Sequence, residues 1–391
     1  MTFVKKRFLA FALTLCLGFN ISSASAAGLY SDVPEDASYQ DAITYVSEKN
    51  YMCGYSDHSF RSDSPVTLKQ LCVVLGRALG LKPGDDAVRY AVNQTYINPG
   101  LLPDSVLNGV IAPDAAMAII GRGFGVLPTH GESITYPAYS DSDAARYMRG
   151  AGVSLGVFDF RIDEILRHEN LTRGDLAYLV SCFDKYDRNH PEITDYGWGY
   201  IKISVVGPYD YLRLDAWDDI LILPWPVLQH FHDAGYQITC GEAGVSRFDL
   251  HDMSVVGVFS PVDKTIFVQD IDGVIHAMGH YVSTFMVGLT EATAAFPRER
   301  AAAAEYIAPN AGYDAYEFFA ECFNYYIRAK NANNYASMSM MSERMPEIWA
   351  FITNMDVLGW HAAAKYVAPD VVGSGVFPVD FVAPVVYCRH F

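Results

Sequence analysis

Apolar residues recur along this chain in three rhythms, and the changes of rhythm divide it. The first is an unbroken run from Phe8 to Phe19, preceded by Lys5, Lys6 and Arg7 and followed by Ser23-Ala24-Ser25-Ala26-Ala27. A basic start, an apolar stretch and a small-residue end predict a secretory signal peptide over 1–27. Its 12 residues, mostly apolar, fall short of the roughly 20 needed to cross a bilayer. No later segment is long and apolar enough either, so no membrane span is expected after cleavage.

The second rhythm is helical. Asp41-Ala42-Ile43-Thr44-Tyr45-Val46 has helical apolar spacing, Gly54 to Phe60 reads as a turn, and Thr67 caps a helix reaching about Leu79. The same order returns later. Tyr139-Ser140-Asp141 repeats Tyr30-Ser31-Asp32 and is followed by helical Asp143 to Met148, a turn around Gly152 to Phe160, and a helix from Arg173 to Phe183 capped by Thr172. Tyr96 to Gly125 has room for a degenerate middle copy, with Ala112-Pro113-Asp114 heading its second helix. Small repeated helical units bury their apolar faces against each other.

The third rhythm begins after a polar stretch containing Pro191 and Gly197, taken as a linker over 186–199. Ile201 to Val206, Leu221-Ile222-Leu223, Val255 to Ser260 and Lys264 to Val268 read as short strands, the last two as a pair, and Pro226 to Ala234 as a helix. The expected fold class is α+β: a helical repeat region over 28–185, then a mixed α/β domain over 200–391 that ends helical.

Charge narrows the choice of partners. Cleavage removes three positive charges and no negative ones, taking the net charge from -17 to -20. Nucleic acid is therefore not an expected partner, because phosphate binding needs clustered Lys and Arg. Six cysteines remain in the mature chain, widely spaced and without a CxxC pair, so neither a zinc ribbon nor a thioredoxin-like site is indicated. Buried free thiols are expected for most of them.

Chemistry enters at His276-Ala277-Met278-Gly279-His280. Residues four apart share a helix face, so both imidazoles can converge on one ion. Two histidines alone would be weak evidence. Some 37 residues after His280, however, Tyr316-Glu317-Phe318-Phe319-Ala320-Glu321-Cys322-Phe323 puts carboxylates at i and i+4 on an aromatic helix. Buried carboxylates need a partner, and a cation is an obvious one. Two histidines and one glutamate with an open fourth position form the catalytic zinc arrangement.

Two family resemblances follow from these residues. Tyr30-Ser31-Asp32-Val33, Gly54 to Phe60 and Leu171-Thr172-Arg173-Gly174-Asp175 resemble the S-layer homology module, which occurs in threes and binds secondary cell-wall polysaccharide in Gram-positive-type envelopes. The family motif Thr-Arg-Ala-Glu survives only as Thr172-Arg173, so the resemblance assigns glycan binding to Thr172 and Arg173 and implies a wall-bound, secreted protein. The stretch from Ile201 to Trp360 resembles the anthrax lethal factor-like zincins, which include the Pro-Pro endopeptidases. That likeness implies Zn2+ held by His276, His280 and Glu317, Glu321 orienting a histidine, and extended, Pro-rich surface-protein peptides as substrates. The family's oxyanion-stabilising tyrosine lies seven residues before the third ligand, where this chain has Asn310; of the nearby Tyr306 and Tyr313, Tyr313 is the candidate.

Ala277 is the departure. The family's His-Glu-x-x-His helix carries its general base there, a glutamate that accepts a proton from the attacking water and passes it to the leaving amine. With alanine the chain is expected to be a pseudopeptidase or an inactivated form of an active enzyme. Two alternatives are a non-catalytic surface binding protein with a vestigial or structural zinc site, and a plain S-layer structural component.

Overall fold

The computed structural model describes residues 29–35, 37–98, 103–129, 139–241, 255–269, 273–287, 296 and 298–360, together with the backbone of 386–389. The leader expected over 1–27 lies outside them. The fold is mixed α and β and mostly helical.

Among the described residues eight helices fill the first half: α1 (Gln40–Glu48), α2 (Leu68–Ala78), α3 (Ala87–Asn93), α4 (Asp104–Leu107), α5 (Pro113–Gly123), α6 (Asp141–Ser154), α7 (Arg161–Ile165) and α8 (Arg173–Asn189). Thr67 and Thr172 each cap a helix through reciprocal bonds with the third helical residue, Gln70 and Asp175, whereas Ala112 caps α5 with no side-chain bond. The repeat has a geometric counterpart in the residues just before these three caps. Val66 N–H donates to the Leu171 carbonyl (2.8 Å), Leu171 N–H to Ile111 (2.8 Å), and Ile111 N–H to Val66 (3.0 Å), closing a ring of backbone hydrogen bonds. The Tyr-Ser-Asp motif of the first unit holds its turn: Asp32 accepts the Phe60 and Arg61 N–H groups, and Tyr30 packs on Gly54, where a Cβ would lie 2.2 Å from the ring.

Two local expectations are corrected here. Helix α8 continues six residues beyond Phe183 into the stretch read as linker. Its first polar residue is buried and partnered: Asp184 accepts from Tyr45 (2.8 Å), Tyr51 (3.0 Å) and Arg188 (2.9 Å), so α8 is tied to α1. Leu221-Ile222-Leu223 is the end of helix α9 (Asp210–Ile222), whose inner face buries Trp217, Ile220 and Leu221. An apolar triplet is too short for periodicity to separate a strand from a buried helix end.

The second half is built on a five-stranded sheet ordered β1 (Ile203–Val205), β2 (Gln237–Cys240), β4 (Thr265–Val268), β3 (Val255–Ser260), β5 (Val386–Arg389). β1, β2 and β4 run parallel; β3 pairs with β4, as the sequence suggests, and is antiparallel both to it and to β5. A helix from Gly273 to Tyr281, here the histidine helix, is buried at all nine positions between the sheet and a second helix, Ala315–Asn331, the glutamate helix. An element apolar all round is a core helix rather than a surface one.

The halves are locked together. Arg146 on α6 donates to the carbonyls of Leu221 and Leu223 at the end of α9. Trp225, which opens α10 (Trp225–Asp233), lies so close to Gly150 that a Cβ there would sit 2.2 Å from its ring. None of the five described cysteines forms a disulfide; Cys72, Cys240 and Cys322 are buried thiols, and Cys53 is exposed. Among the described residues no helix is long and apolar enough to cross a membrane.

Candidate metal centre

The histidine and glutamate helices approach each other at Gly279 and Ala320. A Cβ on Gly279 would lie 2.7 Å from the Ala320 Cα and 3.0 Å from its carbonyl oxygen, both backbone atoms that cannot swing away. Glycine is therefore what lets the two backbones come this near. The residues three before and one after each of these two positions then meet across the contact. Gly279→Val is expected to force the helices apart, costing about 1–3 kcal/mol or more in urea denaturation and weakening metal binding in the same variant.

Four of the residues singled out in the sequence meet in this contact, all buried: His276, His280, Glu317 and Glu321. The two Nε2 atoms of His276 and His280 are 3.0 Å apart. Glu317 Oε2 lies 3.4 Å from His276 Nε2, and Glu317 Oε1 lies 3.5 Å from His280 Nε2. Donor atoms sharing one tetrahedral ion at bond lengths of 2.0–2.2 Å stand about 3.3 Å from one another. The observed separations of 3.0–3.5 Å bracket that value, and the three residues form a buried group able to hold a metal.

Glu321 completes the arrangement from behind. Its Oε1 is 3.1 Å from His276 Nδ1. A carboxylate there holds the proton on Nδ1 and leaves the Nε2 lone pair facing the centre, as is usual for ligating histidines. Burial pushes the Glu317 carboxyl upward, but hydrogen bonds and charge from His276 and His280 outweigh it and hold it down at about 2. Burial also opposes ionisation of Glu321, and His276 together with Asn310 brings it below the ordinary range. Both carboxyls are thus anionic at neutral pH, as a cation site requires.

Ala277 is fully buried on the same helix, between the two histidines in sequence, and its methyl group can neither accept nor donate a proton. Tyr313 follows a 3-10 turn, Pro309–Gly312, and is 56% exposed. The residue from that turn that touches the carboxylates is Asn310, whose amide donates to Glu317 Oε2 (3.2 Å) and to Glu321 Oε1. Its place seven residues before Glu317 was visible in the sequence, but its amide chemistry did not match the hydroxyl expected there.

Thr172 and Arg173 lie far along the chain from this centre, at the head of α8. The Thr172 hydroxyl accepts the Asp175 N–H as a helix cap. The Arg173 guanidinium reaches across to the first unit, donating to the carbonyls of Phe60 (2.9 Å) and Cys53 (3.0 Å) and lying over the rings of Tyr55 and Phe60. It therefore ties the last unit to the turn of the first.

Comparison with known proteins bears on this first half. The model of the S-layer homology domain matches residues 29–72, which span the Tyr30-Ser31-Asp32 motif, α1, the Gly54–Phe60 turn and the start of α2. That domain is a module of attachment to the bacterial cell surface. No curated protein and no solved structure matches the chain.

Proposed function

We propose that this is a bacterial surface protein anchored through its N-terminal half to secondary cell-wall polysaccharide, with a C-terminal zincin-like domain that binds Zn2+ but does not hydrolyse peptides. The observation that carries the metal reading is the convergence of His276 Nε2, His280 Nε2 and a Glu317 oxygen at 3.0–3.5 Å in a buried site. When bound, the ion would supply Lewis-acid polarisation of a carbonyl or of water. The chain's own residues do the rest of what the site can do. His276, His280 and Glu317 hold the ion, Glu321 fixes the His276 tautomer, and Ala277 removes the general base that an extended peptide substrate would need.

The anchor reading rests on the match over 29–72 and on the ring joining Val66, Ile111 and Leu171, which relates two further units to the first. Between the first and last units lies a cleft of about 230 Å³ lined by Tyr39, Ser62, Arg161, His168, Thr172 and Tyr178, mixed aromatic and polar groups of the kind that grip a glycan.

Both halves of the proposal are tested on the full mature chain. Metal analysis after loading and desalting should find one equivalent of zinc, and the protein should sediment with purified wall polysaccharide. A metal-free protein, as expected of a plain S-layer component, would sink the first part; failure to sediment would sink the second.

A further inference from the structure

We propose that Asn310 is the positioning residue of the metal centre, its amide clamping Glu317 and Glu321 so that one Glu317 oxygen is left for the ion and Glu321 stays on His276. This rests on the metal reading given above. Carboxylates four apart on a helix repel each other, and in a buried site the repulsion is screened little. Left alone, Glu317 and Glu321 would rotate apart, and the set of donors would be lost.

Asn310 answers this with the one group suited to two neighbouring anions. Its NH2 carries two hydrogens, and ionised carboxylates only accept, so the nitrogen must face them. One hydrogen goes to Glu317 Oε2 at 3.2 Å and the other to Glu321 Oε1. With Oε2 engaged by the amide, Oε1, the atom 3.5 Å from His280 Nε2, is the better free donor. The clamp thereby favours a one-oxygen ligand and a four-coordinate centre with an open position.

The amide is itself held firmly. Asn310 is 2% exposed, on the 3-10 turn packed between the helix Arg300–Tyr306 and the glutamate helix. Arg300 donates to the Gly312 carbonyl (2.8 Å), and Tyr313 N–H donates to the Asn310 carbonyl (2.9 Å). Asp314 then caps the glutamate helix by accepting from Tyr316 N–H (2.7 Å) and Glu317 N–H (2.9 Å). Hydrogen bonds thus hold the chain at both ends of the six residues between clamp and ligand.

The test uses the full chain, Zn2+ affinity by competition with a chelator, and the visible spectrum of the Co2+ form, which reports coordination number. Asn310→Ser leaves one hydrogen for two carboxylates and should weaken Zn2+ binding roughly 10- to 100-fold, the usual cost of losing a supporting partner. Asn310→Asp keeps the size but swaps the donor for a third anion, and should weaken it further. Both should lower the intensity of the Co2+ bands as Glu317 becomes free to bind through both oxygens. Parent-like affinity and an unchanged Co2+ spectrum in the serine variant overturn the role of Asn310, even if the aspartate variant does not fold. A parent chain that takes up neither metal instead overturns the metal centre itself.

Discussion

His280→Ala is expected to abolish metal-dependent stabilisation of this protein. His280 is fully buried, and its Nε2 is one of three donors meeting within 3.0–3.5 Å. Buried zinc sites with four ligands bind with about 10–16 kcal/mol, so one ligand is worth roughly 3–4 kcal/mol, or a 10²- to 10³-fold loss in affinity. In the parent, free metal at 100 times Kd should add about 2.7 kcal/mol to stability, seen as a rise in Tm that a chelator reverses. In the variant neither metal nor chelator should move the transition. Glu317→Gln, which keeps the shape and removes the charge, should behave the same way. A variant that still binds zinc as tightly as the parent would remove the basis for the site.

The second large effect is a gain. Ala277→Glu places a carboxylate beside the two histidines, and positioned general bases contribute typically 10²- to 10⁴-fold in rate. Metal-loaded Ala277→Glu should hydrolyse members of a Pro-rich peptide library faster than the parent by about that factor. Ala277→Gln is the matched control, since it fills the same volume without the proton acceptor. Equal rates for the two variants, with metal bound in both, would argue against a peptidase ancestry for this site. Position 277 is fully buried, so circular dichroism and zinc content of each variant must accompany the rates.

The donors of this site were legible because each pair sits at a helical interval. His276 and His280, and Glu317 and Glu321, declare a shared face by spacing alone. What spacing could not declare is that the two faces meet. That depends on Gly279 lying over Ala320, a long-range contact with no local signature beyond a glycine in an apolar helix. Asn310 shows a different limit. The resemblance points to the position seven residues before Glu317 but expects a hydroxyl there, and the nearest hydroxyl after it belongs to Tyr313, three residues on. The residue in contact with the carboxylates is the one at the marked spacing.

In the first half, turns and caps are local signals, and the S-layer homology match over 29–72 supports the reading of the first of these stretches. Polarity does not equal exposure in this half. Asp184 is charged yet buried at the junction of α8 with Tyr45 and Tyr51, with Arg188 bonded to it from the exposed side, so the helix outlasts the apolar pattern that announces it. Arg173 has partners that its sequence neighbours do not announce, the carbonyls of Phe60 and Cys53 and the rings of Tyr55 and Phe60. A sequence shows the charge of a guanidinium but not which acceptors the fold brings to it.

The ring joining Val66, Ile111 and Leu171 is made of backbone groups alone. The hydrogen bonds of such a joint do not depend on which apolar side chain each of the three buried residues carries, only on where the main chain runs. Loss of the segment that carries Ile111 would open the ring, taking the acceptor from the Leu171 N–H and the donor from the Val66 carbonyl at one stroke.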